Sequence, residues 1–353
     1  MIQSMKALSV IAPGRLEVHD VPVPETGSDG VLVKVCYSGI CGTDTAILSG
    51  DLKLVKDGLI RYPVRIGHEW SGIVEKTGPA VSRFKPGDRV VSDSGVTCGR
   101  CESCLAGDLS GCKASRSVGT IDCWDGSFAE YVMFPERHLH KIPENLSLEH
   151  AALAEPASIV MAGFEPYDLS AMKDVLIVGT GPIGLLAVIF AKALGAGKVY
   201  ISGRKATKLR IAADIGADAA ICATEQDLSA EIMALTGGRG VDLVLDTSGN
   251  PDAINADLRC AAVGGALALL GFYERNVASF EIDYIVTRQL RVTGIMGRFG
   301  LLEKTLGILA ANTALLNPLI THRYPFHDVI TAFEEARNAA DSRIKAIVEM
   351  NDR

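Results

Sequence analysis

The sequence predicts a two-domain α/β protein, in which a β-rich domain precedes a parallel sheet flanked by helices. Short apolar runs between Lys6 and Val91 are separated by Pro/Gly turns, which is typical of a barrel-like β domain. Residues 174–195 read as a strand, a glycine-rich turn and a helix. Apolar strands and helical patterns then alternate as far as about Arg298, as expected of βαβ units.

Composition limits the class of protein. The 353 residues can form two domains, and the net charge of −7 provides no polycationic surface for nucleic acid or anionic lipid. Val175 to Ala191 is apolar enough to resemble a membrane span, but it is barely long enough and is interrupted by three glycines and a proline. We therefore predict no contact with a membrane.

The nine cysteines predict metal binding rather than disulfides. Their number is odd, five of them lie between Cys98 and Cys123, and the N-terminus lacks an apolar signal segment. Thiolates that hold a metal in a reducing cytoplasm fit this pattern.

The first domain contains three short predicted strands and a dispersed set of metal-ligand residue types. The strands are Val31 to Val35, Ile73 to Lys76 and Arg89 to Val91. A lone cysteine is usually a small buried residue, and a lone His-Glu pair is usually structural. Here Cys41, His68-Glu69 and Glu155 follow one another along the chain. Thiolate, imidazole and carboxylate together can form a catalytic zinc site with one position open for substrate.

A compact cysteine cluster follows, with the pattern C-x2-C-x2-C-x7-C. Its members are Cys98, Cys101, Cys104 and Cys112. Four thiolates on so short a loop can close a structural zinc site. An iron–sulfur cluster is the alternative, but the ferredoxin run continues x3-C-P, which this chain does not. We predict ordinary thiols at the remaining positions, Cys36, Cys123, Cys222 and Cys260.

The second domain begins with a dinucleotide-binding pattern. The buried strand Asp174 to Val178 ends in Gly179-Thr180-Gly181-Pro182-Ile183-Gly184, and a helical pattern follows. Gly179 would make the tight turn, Gly181 would admit a pyrophosphate, and Gly184 would let helix and strand pack closely. The helix N-terminus would supply amide donors to the phosphates. This arrangement predicts a Rossmann fold, and we assign Pro182 and Ile183 to the same site.

The rest of the chain continues the alternation and then changes pattern. Predicted strands are Lys198 to Ser202, Val241 to Asp246 and Ala266 to Gly271, and predicted helices are Thr224 to Leu235 and Asp252 to Ala261. Two further helices, Leu301 to Ala311 and His327 to Ala339, precede a strand at Ala346 to Glu349. We predict domains at 1–158 and 159–297, with 298–353 returning to the first domain.

Together these motifs resemble the zinc-dependent medium-chain dehydrogenase/reductase family, and in particular its sorbitol and polyol dehydrogenase branch. The matching residues are Gly39-Ile40-Cys41-Gly42-Thr43-Asp44, Gly67-His68-Glu69, the cysteine cluster, Glu155-Pro156, the glycine pattern and Thr321-His322-Arg323. The resemblance covers nearly the whole chain. It implies a GroES-like β domain carrying two zinc ions, a Rossmann domain, and an active site between them.

The resemblance also implies roles for individual residues. Cys41, His68 and Glu69 would bind the catalytic zinc, with Glu155 bound directly or through water. Thr43 would hydrogen-bond the substrate oxygen, and Asp44 would orient His68. Glu155 and Arg298 match positions that contact substrate hydroxyls in polyol dehydrogenases. Many relatives end a proton relay with a histidine where this chain has Ala46, so sorbitol itself is in doubt as the substrate.

The cofactor is predicted from the residues after the second Rossmann strand. An enzyme that uses NAD places an acidic residue there, on the ribose hydroxyls. This chain has Gly203, followed by Arg204 and Lys205, with Lys208 one helical turn later. Loss of the acidic charge and a guanidinium able to pair with a 2′-phosphate favour NADP(H) over NAD(H). A basic surface turn is the alternative. Thr247 and Gly271, at the ends of two later strands, complete the predicted cofactor site.

The sequence thus predicts an enzyme that interconverts a secondary alcohol, such as a polyol, cyclitol or sugar derivative, and its ketone. A dehydrogenase of simple secondary alcohols or amino alcohols that uses NAD(H) is the alternative. A non-catalytic nucleotide-binding protein would be expected to lack zinc ligands, and none is missing here. We expect a homodimer or homotetramer with a small-molecule substrate and no nucleic-acid partner.

Overall fold

The computed structural model describes residues 3–273, 275–277, 279–338 and 341–350. The chain divides into two compact units. Unit 1 comprises Met1–Glu155 and Phe299–Arg353, and unit 2 comprises Pro156–Arg298.

The strands alternate with helices mainly in unit 2. They are β1 (Ser4–Ala12), β2 (Arg15–Pro22), β3 (Gly30–Gly39), β4 (Glu69–Thr77), β5 (Arg89–Ser92), β6 (Gly95–Val96), β7 (Arg116–Ser117), β8 (Tyr131–Pro135), β9 (Leu139–Lys141), β10 (Asp174–Val178), β11 (Lys198–Gly203), β12 (Ala219–Cys222), β13 (Val241–Asp246), β14 (Ala261–Leu269), β15 (Arg291–Gly294), β16 (Ile320–Pro325) and β17 (Lys345–Glu349).

The shortest described α-helices, of four residues each, belong to unit 1. The α-helices are α1 (Gly42–Ser49), α2 (Lys53–Lys56), α3 (Glu102–Leu105), α4 (Leu148–Ala151), α5 (Ala154–Phe164), α6 (Pro182–Ala193), α7 (Ala206–Asp214), α8 (Leu228–Leu235), α9 (Ile254–Cys260), α10 (Ile282–Arg288), α11 (Leu302–Ala311), α12 (Thr313–Leu316) and α13 (Val329–Arg337). Segments of 3-10 helix are Leu109–Gly111, Glu136–His138, Leu169–Ala171, Asn317–Leu319 and Phe326–Asp328.

The main sheet of unit 1 has the strand order β16-β17-β3-β4-β5-β9, and β8 also pairs with β3. The C-terminal segment enters this sheet through β17, which runs antiparallel to β3, with Ile347 opposite Gly39. Large aromatic side chains fill the core of this unit, among them Trp70, Phe128 and Phe333. Burial of such side chains supplies much of the stabilisation of a domain of this kind.

Unit 2 is built on a parallel sheet with the order β12-β11-β10-β13-β14-β15. From β10 the chain adds strands in one direction, and from β13 it adds them in the other. The order therefore reverses between β10 and β13, and ligands of such sheets bind at the carboxyl ends of the strands at this point. The glycine pattern lies there, between β10 and α6.

Two element boundaries differ from the predictions for identifiable reasons. The helix predicted to begin at Thr224 begins at Leu228, because the Asp227 carboxylate accepts from the Ala230 amide at 3.0 Å and caps it. The strand predicted from Ala266 begins at Ala261, since β14 already pairs with β13 there and resumes the register after an irregularity.

Two further boundaries concern the helices of unit 1. Gly42–Ser49, where no helix is predicted, forms α1. The last predicted helix spans Val329–Arg337, and its predicted end at Ala339 lies outside the described residues.

The apolar run from Val175 to Ala191 is divided between β10 and α6. Within the described ranges, no helix is long and apolar enough to cross a membrane.

Candidate metal and cofactor sites

Asp44 joins the two turns that carry the first candidate metal ligands. Cys41 caps the N-terminus of α1, and its amide donates to Asp44 Oδ2 at 2.9 Å. The amide of Gly67 donates to Asp44 Oδ1 at 3.2 Å. Asp44 is fully buried, and this burial raises the pKa of its carboxyl. A single carboxylate therefore fixes the turn of Cys41 against the turn that precedes His68.

Cys41, His68 and Glu69 converge in unit 1. One ligand atom of each lies within 4.8 Å of the others. His68 Nδ1 lies 3.6 Å from Asp44 Oδ1. Burial alone would lower the pKa of His68, but the Asp44 carboxylate and Cys41 outweigh it and raise that pKa well above its usual value. A half-buried thiol with a buried imidazole and a buried carboxylate forms a donor set that fits a zinc ion.

Glu155 belongs to the same electrostatic group. It lies in the first turn of α5. Burial raises the pKa of its carboxyl to about 7; Glu69 also raises it, and His68 opposes the shift. The structure thus brings this predicted residue close enough to His68 and Glu69 for their charges to interact.

Lys345 is a member of this site that the sequence did not reveal. It begins β17, and its Nζ donates to Glu69 Oε1 at 2.8 Å, to Oε2 at 2.5 Å and to the Ile40 carbonyl at 3.1 Å. The side chains of Lys345 and Glu69 are only 3% and 2% exposed. Burial alone would lower the pKa of Lys345, but Glu69 raises it above its usual value, so the ammonium stays charged.

Thr43 and Ala46 lie on α1 beside the candidate ligands. Thr43 is half-buried in the first turn of that helix. Ala46 is half-buried and packs against the apolar core of unit 1. The side chain at position 46 therefore contributes to packing, and its methyl group has no donor or acceptor with which to relay a proton.

The four cysteines predicted to bind structural zinc also converge. Sγ–Sγ distances are 3.5 Å between Cys101 and Cys104, 3.7 Å between Cys98 and Cys112, and 4.0 Å between Cys98 and Cys104. A tetrahedron with Zn–S bonds of about 2.3 Å has edges of about 3.8 Å. Amide hydrogen bonds from Arg100 and Cys101 lower the pKa of Cys98 to about 6, which favours the thiolate. These distances fit tetrahedral zinc.

A buried hydrogen-bond chain holds the start of this cysteine cluster, and sequence reasoning missed it. The amide of Thr97 donates to His138 Nε2 at 3.0 Å, and His138 Nδ1 lies 3.1 Å from Asp93 Oδ2. Arg137 Nη2 donates to the Thr97 carbonyl at 2.6 Å. The His138 side chain has no exposed surface. No local pattern links these residues, because they come from different parts of the chain.

In unit 2 the glycine pattern has the geometry expected of it. Gly179 has a φ of +108°, which favours glycine. A Cβ at Gly184 would lie 1.9 Å from the Gly179 carbonyl oxygen, so the close approach of α6 to β10 requires glycine. Gly181 caps α6, and Pro182 and Ile183 form its first turn.

The other predicted cofactor residues also lie at the carboxyl edge of this sheet. Thr247 follows β13, and its Oγ1 donates to the Val178 carbonyl at 2.8 Å. Gly271 lies just beyond β14. Gly203 ends β11, followed by exposed Arg204 and then Lys205, which caps α7. Lys208 is half-buried in the first turn of that helix.

Arg298, predicted to contact substrate, lies at the end of unit 2. Its Nη1 lies 2.9 Å from Glu165 Oε2, and its side chain is 57% exposed. Within unit 2 its guanidinium therefore forms a surface ion pair.

Two family profiles and several relatives match this chain. Residues 27–144 match the family described as "Alcohol dehydrogenase GroES-like domain", and residues 182–309 match that described as "Zinc-binding dehydrogenase". A sorbitol dehydrogenase from Bacillus subtilis is 33% identical over 349 residues, covering 99% of this chain and 98% of the relative. An L-threonine 3-dehydrogenase from Bacillus licheniformis is 35% identical over 352 residues, covering 98% and 99% respectively.

A solved structure from Sinorhizobium meliloti 1021 has a similar fold. It is described as a zinc-binding dehydrogenase bound to NADP. Its TM-score is 0.88 at 32% identity, covering 99% of this chain and all of the other. The predicted fold class, a Rossmann domain with a GroES-like β domain, is thereby confirmed. The chain belongs to the zinc-dependent medium-chain dehydrogenase family, and it is an oxidoreductase of the alcohol and polyol dehydrogenase type.

Proposed function

We propose that this protein interconverts a polyhydroxylated secondary alcohol and its ketone, with NADP(H) as the hydride carrier. The main support for the proposal is the convergence of Cys41, His68 and Glu69 in a chain that is similar to a sorbitol dehydrogenase over 99% of its length. Oxidation would stop at the ketone, since a ketone has no further hydrogen on the reacting carbon.

The metal ligands follow from the two clusters. Cys41, His68 and Glu69 would hold the catalytic zinc, with Glu155 bound directly or through water. The four cysteines would hold a structural zinc. The catalytic zinc, when bound, supplies a Lewis acid that lowers the pKa of a substrate hydroxyl.

The remaining residues would position substrate and ligands. Thr43 would hydrogen-bond the substrate oxygen and pass its proton outward. Asp44 would hold His68 in orientation through the contact at 3.6 Å. Lys345 would hold the Glu69 carboxylate with two hydrogen bonds. Glu155 and Arg298 remain the proposed contacts for further substrate hydroxyls.

The end of β11 supports the choice of NADP(H). A Cβ at Gly203 would lie 2.4 Å from Thr180 Cγ2, so an acidic side chain has no room there unless Thr180 moves. Arg204 is exposed at the next position, where its guanidinium can pair with a 2′-phosphate. The similar structure from Sinorhizobium meliloti is bound to NADP. We infer a preference for NADP(H) over NAD(H) of at least about tenfold in kcat/KM.

The second candidate is an amino-alcohol dehydrogenase that uses NAD(H). The relative from Bacillus licheniformis, an L-threonine 3-dehydrogenase, favours it. L-Threonine also carries a secondary hydroxyl, so the same metal chemistry would serve both substrates.

A substrate and cofactor panel tests the proposal. We expect at least one polyol, cyclitol or sugar phosphate to give a higher kcat/KM than 2-propanol, 2-butanol or L-threonine. We also expect Arg204→Ala to abolish most of the preference for NADP(H), with Arg210→Ala, at an exposed position on helix α7, as the matched control. Faster turnover of simple alkanols, or equal kinetics with NAD(H) in the unmodified enzyme, would contradict the corresponding part.

The nine cysteines, all in the described part of the chain, are free thiols. We propose on this basis that the protein works in a reducing cytoplasm. A homodimer or homotetramer stays a prediction that light scattering can test.

A further inference from the structure

Asp246 joins two loops at the carboxyl edge of the sheet in unit 2. It ends β13, and its side chain is fully buried. Its Oδ2 accepts a hydrogen bond from the Tyr273 hydroxyl, and its Oδ1 accepts from the Ser248 amide at 2.7 Å. Its carbonyl accepts from the Leu270 amide at 2.8 Å. One residue therefore ties the loop after β13 to the loop after β14.

These loops lie on one side of the point where the strand order reverses. β13 and β14 are on that side, whereas β10 and β11 are on the other. Thr247, next to Asp246, reaches across to the Val178 carbonyl at the end of β10. Dinucleotides span such a crevice. If Arg204, after β11, binds the 2′-phosphate on the adenosine half of the cofactor, the nicotinamide half lies beside the loops after β13 and β14.

We propose that Asp246 and Tyr273 are positioning residues for the nicotinamide half of the cofactor. Their hydrogen bond holds the segments 247–249 and 270–273 in the shape that receives this half. The inference rests on the proposed function, because it requires a nicotinamide dinucleotide at this edge.

The hydrogen bond between the Tyr273 hydroxyl and the Asp246 carboxylate is expected to persist at neutral pH. Burial and the Asp246 carboxylate both raise the pKa of Tyr273 above its usual value, so its hydroxyl stays protonated and donates across the neutral range. Hydrogen bonds to a charged acceptor are stronger than those between neutral groups. Removal of the hydroxyl would leave a fully buried carboxylate with one donor fewer.

The same sheet contains a matched control pair at the amino ends of its strands. The Tyr200 hydroxyl donates to Asp174 Oδ1 at 2.8 Å. Asp174 begins β10, whereas Asp246 ends β13, so this second pair lies at the amino ends of the strands. Both tyrosines contact the same apolar core. Tyr200→Phe thus removes the same kind of bond far along the strands from the cofactor edge.

The experiment compares binding of a whole cofactor with binding of its adenosine half. NADPH and adenosine 2′,5′-bisphosphate are titrated calorimetrically into the purified full-length chain as wild type, Tyr273→Phe and Tyr200→Phe. We expect Tyr273→Phe to weaken NADPH binding about tenfold and to leave the fragment's Kd within about twofold. Tyr200→Phe should change neither Kd by more than about twofold. Asp246→Asn, which keeps an acceptor but removes the charge, should show the Tyr273→Phe pattern with a smaller change.

The remaining outcomes would overturn the inference about Asp246 and Tyr273. Equal NADPH affinity in Tyr273→Phe and Tyr200→Phe overturns the inference, and so does equal weakening of NADPH and the fragment in Tyr273→Phe. If Tyr273→Phe does not fold, the same criteria apply to Asp246→Asn. A wild-type chain that binds neither NADPH nor NADH overturns the proposed cofactor as well as the inference.

Discussion

At the scale of single residues, the Glu69–Lys345 pair is a buried ion pair within the candidate metal site. Two opposite charges are buried together, and both carboxylate oxygens accept from one ammonium. Removing one member of a buried pair is costly because the other charge stays buried without compensation.

We therefore predict that Lys345→Met destabilises the protein strongly, by about 3–5 kcal/mol, while Lys345→Arg restores part of the loss. Lys53→Met is the control, since Lys53 forms an exposed ion pair with Asp57 and such pairs contribute at most about 1 kcal/mol. Chemical denaturation of all three variants checks this. Similar losses in Lys345→Met and Lys53→Met would show that the buried pair does not stabilise the fold.

Asp257 provides a second prediction at this scale. It lies on α9 with no exposed surface, and neither carboxylate oxygen has a hydrogen-bond partner among the described residues. Burial raises its pKa well above the usual value, and Asp246 adds to the shift. The protonated form is therefore favoured in the folded state. Its contribution to stability is complete below about pH 3.8, the pKa expected of the unfolded chain, and is lost as pH rises to the raised pKa.

We expect Asp257→Asn to stabilise the protein relative to wild type by a margin that grows from pH 4.5 upwards, by at most about 1.4 kcal/mol per pH unit. Melting temperatures at a series of pH values check this. Asp214→Asn, at an exposed position on α7, is the control and should show no such trend. A margin that stays constant or shrinks as pH rises would mean that Asp257 ionises at least as readily in the folded protein as in the unfolded chain.

At the scale of elements, local motifs were predictable and long-range pairings were not. The cysteine cluster and the glycine pattern each lie within about fifteen consecutive residues. Their spacing in the sequence therefore predicts that the members of each motif lie close together. Lys345 and Glu69 are 276 residues apart, and they come together because β17 pairs with β3 and β3 pairs with β4. Helix α1 was missed because a cysteine caps it, whereas serine, threonine, aspartate and asparagine are the usual signals.

The cysteine cluster is predicted to bind a zinc ion that stabilises unit 1. Zinc held by four thiolates contributes directly to folding. Cys104→Ser should therefore remove about one zinc ion per chain and lower the melting temperature. Cys123→Ser is the control, because Cys123 belongs to the same unit but lies outside the cluster. Metal analysis and thermal melts of both variants check this, and unchanged stability in Cys104→Ser would count against a structural metal.

At the scale of the whole molecule, the chain combines a β unit with two clusters of candidate metal ligands and a parallel α/β unit with a glycine-rich turn after its first strand. The sequence predicted both folds, since their motifs are contiguous. It could not predict how Asp93 and His138 hold the cysteine cluster, or how Asp246 links two loops, because these contacts depend on tertiary packing. The substrate depends on side chains that the motifs do not specify.

The most direct test of the central claim is zinc content measured together with turnover in wild type and His68→Ala. We predict about two zinc ions per chain in wild type, about one in His68→Ala, and a loss of activity in the variant while its fold persists. This expectation follows from the convergence of Cys41, His68 and Glu69. A His68→Ala variant that keeps two zinc ions and near wild-type turnover would contradict the assignment of His68 to a catalytic zinc site.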